Sequence, residues 1–293
     1  MSDTSTPIRP VIQRFRLGEA WVTTILDGAQ LREPLRPPFM MDKDDAALQA
    51  IASENRLPWD QFENTYTPVV VELGGEVVLI DTGFGPGGRN AGAGMLRERL
   101  GQAGYGPEDI TVVAFTHSHP DHIAGVMEGD TLAYPNARHV IGRVEFDAWK
   151  SGEGIPESRA ANRDLFLKVI APLEDQLTFV AEGQSVVPGI VAEEAFGHSL
   201  GHMMYRVTSG GQEALIWGDV TNHYAFSLRH PDSPVGFDDD KPQAIETRKR
   251  VLAMVADAGT LVIGHHMPFP AVGHVERDGD SYAWRPATYQ LWI

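Results

Sequence analysis

Thr116-His117-Ser118-His119-Pro120-Asp121-His122 decides the reading of this chain. Residues 111–116 before it are short, apolar and strand-like, so the cluster stands at a strand's end. Histidine supplies only 11 of 293 residues. Three of them with an aspartate at this spacing should arise by accident in on the order of one in a thousand chains of this composition. The chemistry is also coherent. His117 and His119 lie two apart on an extended stretch, point to one side and can pinch one ion. Beyond the turn at Pro120, Asp121 and His122 can face a second ion beside the first.

Two ions need more ligands than one loop supplies. The chain has no cysteine, which excludes disulfides, thiolate nucleophiles, iron–sulfur clusters and thiolate-held zinc. Any metal must then be held by imidazole and carboxylate. Working outward, three further candidates stand at expected strand ends: His198 in Phe196-Gly197-His198-Ser199-Leu200-Gly201-His202, Asp219 in Leu215-Ile216-Trp217-Gly218-Asp219, and the pair His265-His266. Neighbouring side chains on extended backbone point to opposite faces. Only one of that pair should reach the ion, with the other facing away.

The rest of the sequence narrows the class. Hydrophobic residues make up 42% and charged residues 22%, an ordinary globular balance. The net charge of −16 repels a phosphate backbone and anionic lipid, so neither nucleic acid nor a membrane is an expected partner. No run of 18 apolar residues and no secretory segment is visible, and a cytoplasmic location is expected. Strands are expected over 11–17, 21–26, 67–73, 76–80, 111–116, 138–141, 190–195, 203–208, 213–217, 261–264 and 287–293. Helices are expected over 42–55, 95–103, 143–150, 158–173 and 242–256. Strands fall in hairpin groups with helices between the groups, which implies two mixed sheets with helices outside. No linker interrupts residues 1–293, so one domain is expected. Residues 143–175 read as a helical insertion that could cover the site as a lid.

Taken together, Leu79-Ile80-Asp81-Thr82-Gly83, His117 to His122, Gly197 to His202, Gly218-Asp219 and His266 resemble the metallo-β-lactamase-fold hydrolase superfamily. Residues 266–274 look most like its methyl parathion hydrolase branch, which includes lactonases. The resemblance implies an α/β protein, a four-layer αββα sandwich with a dinuclear metal site at one edge of the sheets. It implies that His117, His119 and His198 bind the first metal and that Asp121, His122 and His266 bind the second. Asp219 would bridge both, and Asp81 would orient a ligand imidazole from behind. The cofactor is expected to be two divalent ions, Zn²⁺ foremost, with Mn²⁺, Co²⁺ or Fe²⁺ as alternatives.

Departures from other branches sharpen this. True β-lactamases of the fold lack an aspartate at the bridging place, whereas Asp219 is present. Flavodiiron relatives usually carry glutamate where His119 stands. The basic end of glyoxalase II is missing from residues 276–293, which hold two arginines. The resemblance therefore implies a hydrolase of neutral esters, lactones or organophosphotriesters, with Asp121 and Asp219 in catalytic roles. Phe269, Trp149 and Phe146 are the expected pocket wall. The expected partner is a small neutral ester-type substrate, with a homodimer left open. Two alternatives stand beside this: an iron-dependent dioxygenase of the persulfide type, and a metal-binding regulator with little turnover.

Overall fold

The computed structural model describes residues 8–287 and Leu291. Its frame follows from period-two alternation in the apolar strands. Val69, Val71, Val78, Ile80, Val112 and Ala114 point inward to one cluster, while Val70, Leu79 and Val113 point outward to another. The same happens further along: Met203, Tyr205, Ala214, Ile216, Leu261 and Ile263 point inward, and Met204, Leu215 and Val262 outward. A strand buried on both faces belongs to a sheet covered on both sides. The inward residues of the two groups meet in a single central core.

Each sheet has seven strands, and each runs in chain order from edge to edge. The first is Ile12–Leu17, Ala20–Ile25, Val69–Leu73, Glu76–Ile80, Val112–Ala114, Arg138–Gly142 and Leu177–Val180. The second is Ser185–Val187, Ile190–Glu194, Met203–Ser209, Gln212–Ile216, Leu261–Ile263, Val272–Asp278 and Ser281–Pro286. Hairpins give antiparallel pairs, and the pairs across a helical crossover are parallel, as at Ile80 with Ala114 and Ile216 with Ile263. Helices Leu96–Gln102, Arg143–Ser151 and Ala160–Val169 cover the outer face of the first sheet. The long helix Lys241–Ala258 covers the second, with Val251, Leu252 and Val255 buried. Asp240 caps its start, accepting the Gln243 N–H. This is the expected four-layer αββα sandwich.

Several elements differ from expectation. The helix expected over 158–173 is broken: Ala160–Val169 is helical, and Pro172, which lacks an N–H, sits in a separate tight turn. The hairpin Val272–Asp278 with Ser281–Pro286 was not anticipated. Neither was the ribbon Gly28–Arg32 with Phe62–Tyr66. The strand expected over 287–293 lies outside the described residues except at Ala287 and Leu291, which are not in a strand. No helix among the described residues is long and apolar enough to cross a membrane.

Candidate metal centre

The two sheets end together at one rim, and loops from both meet there. Val112–Ala114 delivers His117, His119, Asp121 and His122, while Gln212–Ile216 and Leu261–Ile263 deliver Asp219 and His266. Close backbone packing fixes the loops. At Gly218, φ is +56°, and a Cβ would lie 2.5 Å from His202 Nε2; at Gly197, φ is +126°, and a Cβ would lie 2.2 Å from the Ala244 nitrogen. A side chain at either position would force apart the loops that carry Asp219 and His198.

Every ring is oriented by a partner on its far side. The Nδ1–H of His122 donates to Asp81 at 2.8 Å, that of His198 to Asp238 at 2.9 Å, and that of His266 to the Thr65 carbonyl at 2.7 Å. Thr116 donates its hydroxyl proton to Asp81 at 2.8 Å, so its oxygen is an acceptor for His117 Nδ1–H at 3.1 Å. His119 is turned the other way, with Nε2 on Asp239 at 3.3 Å and Nδ1 facing inward. Five imidazoles therefore turn their second ring nitrogens toward one space. His117, His119 and His198 form one group, and Asp121, His122, Asp219 and His266 another, with the ligand atoms of each within 4.8 Å of one another.

Asp219 lies between the groups. Its Oδ2 is 2.8 Å from His266 Nε2 and 3.2 Å from His198 Nε2, and its Oδ1 is 3.4 Å from His122 Nε2. Among the described residues, His117 Nε2, His122 Nε2 and Asp219 Oδ1 are buried without a hydrogen-bond partner. His198 Nε2 faces His119 Nδ1 at 3.0 Å, two acceptors that need a proton or a cation between them. Buried groups in such a state are normally satisfied, and this donor set of imidazoles and carboxylates suits two divalent cations. The residues fit the metals that the resemblance implies.

Proton affinities reflect the same arrangement. Burial depresses His117, and the neighbouring histidines add to it. Burial and Arg159 bring His119 down to about 4. Burial alone would lower His198, but Asp219 and Asp238 outweigh it and lift it to about 9. Burial works against the charge on Asp219, yet His266, His122 and His198 hold it well below the usual carboxylate range.

The sequence did not announce the groups that hold the candidate ligands. Asp238 is buried between His198 and Arg248, whose guanidinium is 2.6 Å away. Asp239 joins His119 to Arg159 Nε at 2.7 Å. Glu145 accepts from Ser118 N, Ser199 Oγ and Gly201 N at 2.7–2.8 Å, tying the His119 loop to the His198 loop. His202 accepts the Asp219 N–H at 3.1 Å. Their signal is weak because each reads as a surface charge or a turn residue.

The expected pocket wall needs correction. Phe146 is fully buried, packing its ring against Phe166 at 5.6 Å and Phe179 at 5.1 Å in the outer core. Trp149 is also fully buried, donates to Ser199 Oγ at 3.0 Å and backs the His119 ring from outside the pocket. Both sit on the apolar face of an amphipathic helix, where core packing wins. Phe269 lines a neighbouring hollow with Arg9, Pro10 and Pro268. His265 does not face away: its ring lies 4.1 Å from that of His122. With Asp81 and His122 it forms a third cluster, but Asp81 is already engaged by Thr116 and His122. A cavity of about 220 Å³ does open over the ligands, walled by Arg32, Asn64, Tyr66, Phe84, Arg159 and Phe237 among others. Three of these come from the unanticipated ribbon, and Arg159 comes from the expected lid segment.

Comparison with known proteins agrees with this geometry. Residues 65–266 match the family model of the metallo-beta-lactamase superfamily, and the chain belongs to that superfamily. The chain is 30% identical over 204 residues to metallo-beta-lactamase domain-containing protein 1 of Mus musculus, an alignment covering 70% of this chain. It spans 65% of that mouse protein's length. Among solved structures it is similar to AidC, a dizinc quorum-quenching lactonase in complex with an acyl-homoserine product. The TM-score is 0.89 and the identity 24%, covering 96% of this chain and 98% of that one. It is also similar to AbOPH, a hydrolase in the beta lactamase superfamily, at TM-score 0.87 and 24% identity, covering 97% and 100%.

Proposed function

We propose that this protein is a dinuclear metal-dependent hydrolase of neutral lactones and esters, with organophosphotriesters as a secondary class. The observation that carries the reading is the pair of inward-facing donor groups sharing Asp219 at the floor of an open cavity. His117, His119 and His198 would hold one ion, Asp121, His122 and His266 the other, and Asp219 would serve both. Zn²⁺ suits these nitrogen-rich sites best. Such a pair of ions supplies hydroxide at neutral pH and polarises the scissile oxygen.

The chain's own groups perform the remaining work. Asp121 is the carboxylate that faces the cavity, its Oδ2 3.5 Å from both His122 Nε2 and His266 Nε2. Its side chain is 14% exposed toward the cavity, so it is placed to receive a proton from the attacking water and return it to the leaving oxygen. The Tyr66 hydroxyl donates to Gln30 and accepts from Arg32 at 3.2 Å, which fixes Arg32 over the cavity. Arg32, Asn64 and Asn162 give the wall several donors for the oxygens of an ester or lactone. Phe84 and Phe237 supply apolar contact and exclude water.

The lactonase description of AidC supports the choice of lactones first. The test is a substrate panel on metal-loaded protein: lactones of several chain lengths, aryl esters, aryl phosphotriesters and a chromogenic cephalosporin. Lactone or ester turnover that exceeds cephalosporin turnover is expected. Dominant cephalosporin turnover, or none on any substrate, would overturn the reading.

A further inference from the structure

The helix Arg143–Ser151 opens the segment where a lid was expected, yet its buried face holds two loops that carry candidate ligands. Glu145, in its first turn, is fully buried. One carboxylate oxygen accepts the Ser118 N–H at 2.7 Å, and the other accepts the Gly201 N–H at 2.8 Å. The Ser199 hydroxyl lies across both, at 2.7 and 2.8 Å. Ser118 stands between His117 and His119, and Ser199 to Gly201 follow His198. The second loop comes this close because residue 201 is glycine: a Cβ there would lie 2.1 Å from the Glu145 nitrogen.

The partners on the far side of each ring set how that ring is turned. The separation of the two loops is a matter of backbone, and there Glu145 spans them, from the Ser118 N–H to the Gly201 N–H. Trp149, one turn further along the helix, donates to Ser199 Oγ at 3.0 Å, which leaves the hydroxyl proton for Glu145. All of these donors on Glu145 are neutral, and it uses both oxygens to serve them. The second group is held by other means. Thr82 donates its N–H and its hydroxyl to the His122 carbonyl at 2.7 and 2.8 Å. The Thr65 carbonyl orients His266, and Asn222 Nδ2 donates to Asp219 at 3.0 Å. Glu145 hydrogen-bonds none of these residues.

We infer that Glu145 is a positioning residue for one ion only: it keeps His117 and His119 at working distance from His198, so the affinity of that group depends on it, while that of Asp121, His122 and His266 does not. The inference rests on the two-ion assignment within the hydrolase reading. Glutamine shows why a carboxylate is required. Its amide has one accepting oxygen and an NH₂ that donates. Turned one way, it keeps the Ser118 N–H and sets its NH₂ against the Gly201 N–H. Turned the other way, it keeps Gly201 and loses Ser118. In both cases a buried donor faces a donor, and one loop is freed. Aspartate keeps the charge but is one methylene too short to reach both loops.

The test reads zinc retention, without turnover. Metal-loaded protein is equilibrated with zinc buffers of graded free concentration, and bound zinc per chain is counted by mass spectrometry. Glu145→Gln should move the release of one ion to about tenfold to hundredfold higher free zinc, the usual worth of a partner behind metal ligands, and that of the other by less than about threefold. His266→Ala and His198→Ala assign the step, because each keeps one ion. Adding Glu145→Gln should weaken the ion left in His266→Ala and spare the ion left in His198→Ala. Glu145→Asp should show the same one-sided loss. A contact that merely supported the fold would weaken both ions alike. Equal weakening of both, no weakening, a loss confined to the His198→Ala background, or a Glu145→Asp that retains zinc like the wild type would each overturn the inference. Should Glu145→Gln not fold, Glu145→Asp in the two backgrounds decides. The hydrolase reading fails on a different result, the absence of turnover on the lactone and ester panel, which leaves these release curves readable.

Discussion

Replacing Asp238 by asparagine should damage both the metal centre and the fold. The Asp238 side chain is fully buried; one oxygen takes the His198 Nδ1–H at 2.9 Å and the other the Arg248 guanidinium at 2.6 Å. Asparagine keeps the shape but removes the charge. Its amide must then point –NH₂ at either Arg248 or His198, and both are donors. Breaking a buried ion pair from one side costs about 3–5 kcal/mol. The lower end applies, because Arg248 keeps the carbonyls of Val220, Pro231 and Ser233 at 3.1–3.2 Å. The metal-stripped variant should therefore lose about 3 kcal/mol in urea unfolding. Loss of the carboxylate behind His198 should also weaken metal binding about 10-fold to 100-fold, read by competition with a chelator. A variant within 1 kcal/mol of wild type that binds metal as tightly would refute the argument that Asp238 holds both partners.

Three further outcomes are expected. Asp219→Ala should abolish hydrolysis and lower metal content, because both donor groups lose their shared carboxylate; full activity in that variant would exclude the two-ion assignment. His266→Ala should lose one metal and most of the rate, while His265→Ala should retain two metals, because only His266 directs Nε2 at Asp219; metal analysis of both variants decides, and the reverse pattern would move the ligand by one residue. Burial lowers His223 from an ordinary 6.5 to about 3 in the folded protein, so the unfolded chain takes up its proton first as pH falls. Stability should therefore drop below about pH 6.5, by about 2 kcal/mol from this residue at pH 5, and urea unfolding of stripped His223→Asn should show a loss smaller by that amount.

Much of the frame was written locally. Thr67–Leu73 and Glu76–Ile80 alternate around Gly74-Gly75, and both glycines have positive φ in the hairpin they form. The candidate ligands stood at strand ends, where apolar runs meet polar residues. What escaped depended on distant partners. Arg32 and Asn64 reach the cavity because Gly28–Arg32 pairs with Phe62–Tyr66, about thirty residues on, and no turn links the two strands. Asp238-Asp239-Asp240 resembles a solvated acidic run, yet only Asp240 serves as the helix cap, while the other two hold His198 and His119. Arg248 looks like one of three exposed cations in Arg248-Lys249-Arg250, but it shares a helix face with Ala244, Val251 and Val255. That position on the apolar stripe was the readable sign of its burial. Trp149 and Phe146 misled for the complementary reason: aromatic residues near a site on an amphipathic helix serve the core before they serve a ligand.

The central claim is that two ions at one shared site make this protein a hydrolase. The most direct test strips the protein, confirms the loss of metal, and titrates Zn²⁺ back while following turnover of the best lactone or ester. Activity should be absent at the start and should reach its plateau at two equivalents of zinc per chain. Undiminished turnover in the stripped protein, or a plateau at one equivalent with no further rise, would contradict the account.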